Sequence, residues 1–247
     1  MLRSIPAQPN DTSSSTAAAQ IRCPTAGQRN ALSSLKGAID AREPLILLFG
    51  DAGSGKTALL NMLGCLDTPT SGSLRLNGNE TAGRPERDLV RLRRENIGFV
   101  FQQFYLIPTL TARENIELPL LFSHKKGSEK RIEEVLQMVD LSDRGDHLPG
   151  QLSGGEMQRV AIGRALINNP AIILADEPTG NLDSATSEMI FGLFRELNRQ
   201  GLTLVVVTHN LDLALQATKM YTLRDGQIVS CESRACLEGM EVRQVVG

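Results

Sequence analysis

The run Gly50-Asp51-Ala52-Gly53-Ser54-Gly55-Lys56-Thr57 constrains the fold of this chain more than any other segment. It fits G-x-x-x-x-G-K-[ST] and directly follows the apolar stretch Leu45 to Phe49, which supplies the strand, glycine loop and helix order that the pattern requires. The glycines let the backbone curl until successive N–H groups converge on one point. A helix predicted over 56–63 adds its positive end there, so the expected guest is a phosphate. In such a loop Lys56 reaches the outer phosphates of a nucleotide and the Thr57 hydroxyl is offered to Mg2+. The candidate nucleotide-binding residues are therefore Gly50, Asp51, Ala52, Gly53, Ser54, Gly55, Lys56, Thr57 and Ala58.

Two later apolar runs end in chemistry. Ala171 to Ala175 reads as a parallel strand covered on both faces, and it leads into Asp176-Glu177-Pro178. Carboxylates at the carboxyl end of a buried parallel strand lie where ligands of open α/β sheets bind. Asp176 suits Mg2+, and Glu177 suits orienting or deprotonating an attacking water. Leu202 to Val207 is a third strand candidate, ending in Thr208-His209. His209 is the histidine placed to sense a terminal phosphate, whereas His124 and His147 read as ordinary polar residues.

Between these motifs stands Leu152-Ser153-Gly154-Gly155-Glu156-Met157-Gln158-Arg159. Ser153 and Glu156 form an S-x-x-E capping box ahead of Val160, Ile162, Ala165 and Leu166, which predicts a helix. Capping does not account for Gly154-Gly155, because a glycine in a helical turn costs about 1 kcal/mol. Bare N–H groups at a positive helix end make a second anion site. The phosphate loop of the same chain does not need it, so its expected ligand is a nucleotide held by another copy.

Together these residues make the chain resemble the ATPase subunits of ABC transporters over about residues 28 to 230, particularly the lipoprotein-releasing and macrolide-exporter group. The resemblance extends to Leu63-Gly64-Cys65-Leu66-Asp67-Thr68-Pro69-Thr70-Ser71-Gly72, to Ile97-Gly98-Phe99-Val100-Phe101-Gln102, and to Ala175-Asp176-Glu177-Pro178-Thr179-Gly180-Asn181-Leu182-Asp183-Ser184. It implies an α/β fold: a P-loop NTPase core with a mainly parallel sheet, flanking helices, a small antiparallel β subdomain and a helical insert. It also implies ATP and Mg2+ as cofactors, with the metal at Thr57, Asp176 and Gln102. Glu177 becomes the catalytic base, His209 the switch histidine, and Lys56 and Gln102 further catalytic groups. Ser153, Gly154 and Gly155 grip the ATP of a second copy, and Asp183 lies in the loop crossing the dimer interface. Separate transmembrane permease subunits are the other implied partners, docking beside Phe104, Tyr105, Leu106, Ile107 and Pro108. That places the chain on the cytoplasmic side of the inner membrane. Alternative readings are a regulatory subunit similar to the cell-division ABC ATPase and a weakly catalytic subunit.

Three departures from the family bear on that last alternative. No aromatic residue precedes Phe49 to stack on adenine, a role left to Ile21 or Arg22; Asp51-Ala52 replaces the usual Pro-Ser; and Glu43-Pro44 replaces the usual Gly-Glu turn. Losing a base stack of roughly 1 to 3 kcal/mol predicts weaker nucleotide binding.

With 41% hydrophobic residues in 247, the chain is long enough for one full α/β core. The expected organisation is a tail over 1–20, a single cassette over 21–230, and a C-terminal segment over 231–247. Within the cassette, a core over 28–98 and 158–230 carries a helical insert over 103–157. Further strands are expected over 73–76, 97–101 and 220–223, with insert helices over 112–121 and 128–139. No run approaches the ~20 apolar residues of a membrane span. A net charge of −2, from 26 basic and 28 acidic residues, argues against nucleic acid as partner. The run Arg87 to Arg94 reads as a solvated helix face, and Cys23, Cys65, Cys231 and Cys236 lack zinc or redox spacing.

Overall fold

The computed structural model describes residues 45–67, 74–76, 79–81, 83–122 and 129–233. The expected tail, Ile21, Arg22, Cys23, Cys236 and His124 lie outside the described residues.

Six short segments, four of them largely apolar, pair into one sheet. In chain order the strands are β1 (Leu45–Phe49), β4 (Ile97–Phe101), β5 (Ile172–Asp176), β6 (Thr203–Thr208), β7 (Lys219–Arg224) and β8 (Gln227–Ser233), arranged β4-β5-β6-β1-β7-β8. The first five run parallel, and β8 returns antiparallel to β7. β2 (Arg75–Leu76) and β3 (Asn79–Glu80) form a separate antiparallel pair. The return to β8 is made at Asp225 and Gly226, with φ of 48° and 73°, the two positive angles of a tight hairpin turn.

The pleat sends alternate residues of each strand to opposite faces, and two cores result. Leu45, Leu47, Val100, Ile173, Ala175, Leu204 and Val206 share one cluster with residues of α3 (Ala112–Phe122), α4 (Glu129–Met138), α5 (Gly154–Leu166) and α6 (Ser184–Arg199). Ile46, Leu48, Leu174, Val205 and Val207 share the other with α1 (Lys56–Leu63) and α2 (Glu86–Asn96). Burial on both faces is why these strands read as unbroken apolar runs rather than alternating ones. α4 shows the opposite pattern, burying Ile132, Val135 and Leu136 at helical spacing while its other face is exposed.

Several expected boundaries shift. β5 begins at Ile172 rather than Ala171 and includes Asp176, because ladder pairing to Phe101 and Val207 holds that polar residue in the strand. β6 likewise includes Thr208, paired with Phe49. The described part of the strand expected over 73–76 is only Arg75–Leu76. β8 runs through residue 230, where the cassette was expected to end, and α5 runs through the 157/158 junction. The basic run is not uniformly solvated: the Arg87 side chain is 86% exposed, but Arg93 is turned inward, donating to the Cys65 carbonyl and, at 2.7 Å, to Glu86.

Candidate functional site

Strand register brings four sequence-distant segments to one edge. Phe101 pairs with Asp176, Asp176 with Val207, and Phe49 with Thr208. The residues that follow these strand ends, Gln102, Glu177, His209 and Gly50, therefore leave four adjacent strands at nearly the same level.

The glycine loop is shaped by what lies behind it. Gly50, Gly53 and Gly55 have φ of 156°, 81° and 92°, the last two in the left-handed region that favours glycine. A Cβ on Gly50 would stand 2.4 Å from the Leu223 carbonyl oxygen, and one on Gly55 3.1 Å from Gly226 Cα. The Gly226 N–H also donates to the Ser54 carbonyl at 2.9 Å. The β7–β8 turn thus braces the loop from below, a role the Asp-Gly pair in the sequence does not announce, because a hairpin signal carries no long-range information. Lys56 is only 6% exposed, and its ammonium donates to the carbonyl oxygens of Gly50 and, at 2.9 Å, Asp51. Asp51 itself is exposed, so its carboxylate does not crowd the loop. Phe49 packs against the main core, as expected of a strand residue. Ala58 is half-buried on α1.

Beside the loop, the Thr57 hydroxyl donates to Asp176 Oδ1 at 3.2 Å. Burial pushes the Asp176 carboxyl above its usual range and the Glu177 charge adds to this, against the Thr57 hydrogen bond and Lys56. A hydroxyl and a partly desolvated carboxylate side by side are oxygen donors of the kind a hard divalent cation takes. Glu177 has φ of 45°, a left-handed conformation costing about 1–2 kcal/mol for a side-chain-bearing residue. Its N–H donates to Val207 O at 2.9 Å and its carbonyl accepts from Gly180 N–H at 3.0 Å, which hold that conformation. Glu177 Oε1 lies 2.9 Å from His209 Nδ1. The pair borders a cavity of about 360 Å³ whose walls include Thr179, Ser187, Glu188 and Asp212. No residue of the glycine loop lines it, so it is distinct from the phosphate cradle.

Gln102 is exposed and joined to Asn181: its Nε2 donates to Asn181 Oδ1 at 3.1 Å, and Asn181 Nδ2 donates to the Gln102 carbonyl at 3.0 Å. In the sequence Asn181 has no role beyond its place in the Ala175–Ser184 run. Asp183 caps α6, accepting from Thr186 N–H at 2.9 Å and from the Thr186 hydroxyl at 2.7 Å. These bonds hold its carboxyl below the ordinary range.

Ser153 caps α5 as expected, accepting from Glu156 N–H at 3.3 Å while its own N–H donates to Glu156 Oε2 at 2.8 Å. The glycine argument needs a correction. Gly155 is buried, and a Cβ there would stand 2.5 Å from Thr186 Cγ2; one on Gly154 would stand 3.3 Å from Leu182 Cδ2. Close approach to the start of α6 therefore requires a bare Gly155 within one chain, whatever a second copy adds. Gln158 Nε2 lies 3.4 Å from the Phe101 carbonyl oxygen, so this end of α5 sits over β4, three strand positions from β1. At about 4.8 Å per strand, β4 and β1 lie roughly 14 Å apart across the sheet. Of the five residues expected to face a permease, Tyr105 and Ile107 are 63% and 38% exposed and Pro108 is exposed, while Phe104 and Leu106 are half-buried. Leu106 packs on the main core.

The ABC transporter family profile matches residues 35–180. Over 196 residues the chain is 50% identical to a Thermotoga maritima protein named as an uncharacterized ABC transporter ATP-binding protein, covering 78% of this chain and 84% of that one. It is 47% identical over 191 residues to the macrolide export ATP-binding/permease protein MacB of Bdellovibrio bacteriovorus, covering 77% of this chain but 29% of that longer protein. Among solved structures, the ATP-binding cassette MJ0796 of Methanocaldococcus jannaschii, a dimer in a post-hydrolysis state bound to ADP and Pi, superposes with a TM-score of 0.70 at 46% identity, covering 77% of this chain and 85% of that one. With its strand-end site built on a parallel sheet, a matched profile over most of its length and half-identical relatives of similar size, the chain belongs to the ABC transporter family.

Proposed function

We propose that this chain is the ATP-binding and ATP-hydrolysing subunit of an ABC transporter, closing with a second copy on two ATP molecules to drive separate membrane subunits in export or lipoprotein release. The observation that carries this reading is the common level of Gln102, Glu177, His209 and Gly50 at the ends of adjacent strands. The dimeric MJ0796 cassette with ADP and Pi and the export name of MacB support it.

In this reading the phosphates of ATP take the place of the Gly50 and Asp51 carbonyls as partners of Lys56, and the loop N–H groups cradle them. Thr57, Asp176 and Gln102 hold Mg2+, which when bound offsets negative charge on the phosphates. Glu177 acts as base toward the attacking water, and His209, held by Glu177, contacts the terminal phosphate. Ser153, Gly154 and Gly155 of one copy meet the ATP of the other, with Asp183 at the join; α5 packs over β4, three strand positions from the β1 end that carries the glycine loop. Closure then depends on a terminal phosphate that both copies contact, and cleavage removes that differential binding.

A single cassette carries the function, with β8 included as far as Ser233 and the helical insert that begins near 103 leading into α5. Among the described residues no helix is long and apolar enough to cross a membrane, and the chain works at the cytoplasmic face through its permease. Tyr105, Ile107 and Pro108, exposed in the segment that follows Gln102, supply the apolar docking surface.

Glu177→Gln tests this directly. It keeps the shape and removes the base, so turnover falls by about 100-fold or more while light scattering detects an ATP-bound dimer. Hydrolysis at the parental rate refutes the assignment of the base.

A further inference from the structure

The backbone around Arg164, in the last turn of α5, is held from two sides. A Cβ on neighbouring Gly163 would stand 2.9 Å from Ile116 Cδ1 and 3.3 Å from Val135 Cγ1, and one on Gly98 of β4 would stand 2.6 Å from the Ala165 carbonyl oxygen. Arg164 is thus a fixed anchor between sheet and insert. Its Nη1 donates to the Tyr105 carbonyl at 2.6 Å and its Nη2 to the Phe104 carbonyl at 2.7 Å. Six residues earlier on the same helix, the fully buried Gln158 reaches the Phe101 carbonyl at 3.4 Å. Segment 101–105 is therefore tied to α5 at both ends, with exposed Gln102 between the ties.

The stronger tie is at Arg164, where two charge-assisted hydrogen bonds come from one planar group. Tyr105 has φ of 48° and its ring meets that of Phe101 edge-on at 5.5 Å, so the loop is held in a tight fold that its own residues do not favour. A lysine provides a point charge in place of the fork.

From this geometry we infer that Arg164 is a positioning residue for hydrolysis: by fixing the Phe104 and Tyr105 carbonyls to α5 it sets the place of Gln102 and makes the loop move with the helix that begins at Ser153. A change felt by Gln102 at one nucleotide is thereby delivered to the helix end that faces the other. The transmission rests on the proposed nucleotide roles of Gln102 and Ser153; the clamp does not.

The chain has two tyrosines: Tyr105 in the loop and Tyr221, fully buried in β7. In protein labelled with 3-fluorotyrosine, Arg164→Met is expected to narrow the Tyr105 fluorine resonance and shift it toward that of the free amino acid, with the Tyr221 resonance unmoved as an internal check of the fold. MgATP hydrolysis is expected to lose about tenfold or more in kcat, with KM within about twofold, as for a displaced catalytic contact. Arg164→Lys is expected to fall between, and it decides the same comparison should the Met variant disturb Tyr221. A Tyr105 resonance unchanged by both substitutions, or an unchanged kcat, overturns the inference. A parent chain that fails to hydrolyse ATP refutes the proposed function instead, and the fluorine spectra still decide the clamp.

Discussion

Gly155→Ala isolates the contact between the start of α5 and the start of α6. The added methyl would stand 2.5 Å from Thr186 Cγ2. Thr186 cannot simply rotate away, because its hydroxyl donates to Asp183 Oδ2 at 2.7 Å and turning χ1 would break that bond. Inserting a methyl into such packing costs about 1–3 kcal/mol, from which the better helix propensity of alanine recovers up to about 1 kcal/mol. Because a 2.5 Å approach places the cost in the upper part of that range, a net loss of about 1–2 kcal/mol is expected, lowering Tm by roughly 2–8 °C for a chain of this size. Thr186→Ser deletes the offending methyl and keeps the hydroxyl, so Gly155→Ala with Thr186→Ser is expected to regain most of the stability in thermal or urea unfolding. The non-additivity of that cycle measures the contact. ATP-dependent dimerisation of the double variant is expected to return with its stability, because the methyl points at Thr186 and alanine keeps its backbone N–H. Parental stability in the single variant, or no recovery in the double, refutes the packing explanation. Recovery of stability and dimerisation together shows that the missing side chain serves only its own chain.

Two further outcomes follow from the site. Ser153→Arg is expected to abolish ATP-dependent dimerisation, read by light scattering, while nucleotide binding to the monomer, read by calorimetry, is retained; unchanged dimerisation removes the contact between copies. Asp176→Asn is expected to stabilise the nucleotide-free protein near neutral pH while ending Mg2+-dependent hydrolysis. The sign follows from burial, which raises the Asp176 carboxyl: the folded state binds the proton more tightly than the unfolded one, so stability declines as pH rises from the unfolded to the folded pKa and stays lower above it. The Asn variant lacks that decline in urea unfolding followed against pH, and an identical pH profile in parent and variant refutes the account.

Local chemistry was legible because it is written in neighbouring residues. The glycine loop after Leu45–Phe49, the Ser153–Glu156 capping box and the strand-end acids each depend on a few consecutive side chains and the backbone preferences they impose. α1 and the cap of α5 form where those preferences place them. Long-range pairing has no such local signature. The order β4-β5-β6-β1 decides that Gln102, Glu177, His209 and Gly50 share one edge. The fold also supplies the second reason for Gly155, through Thr186; the brace of Gly226 under Ser54; and the tie from Arg164 to Phe104 and Tyr105. Sequence by itself determined which residues are equipped for phosphate and acid–base chemistry, since that equipment is covalent. Tertiary structure alone decided which of them meet, since strand register and helix approach are settled by burying both faces of one sheet at once.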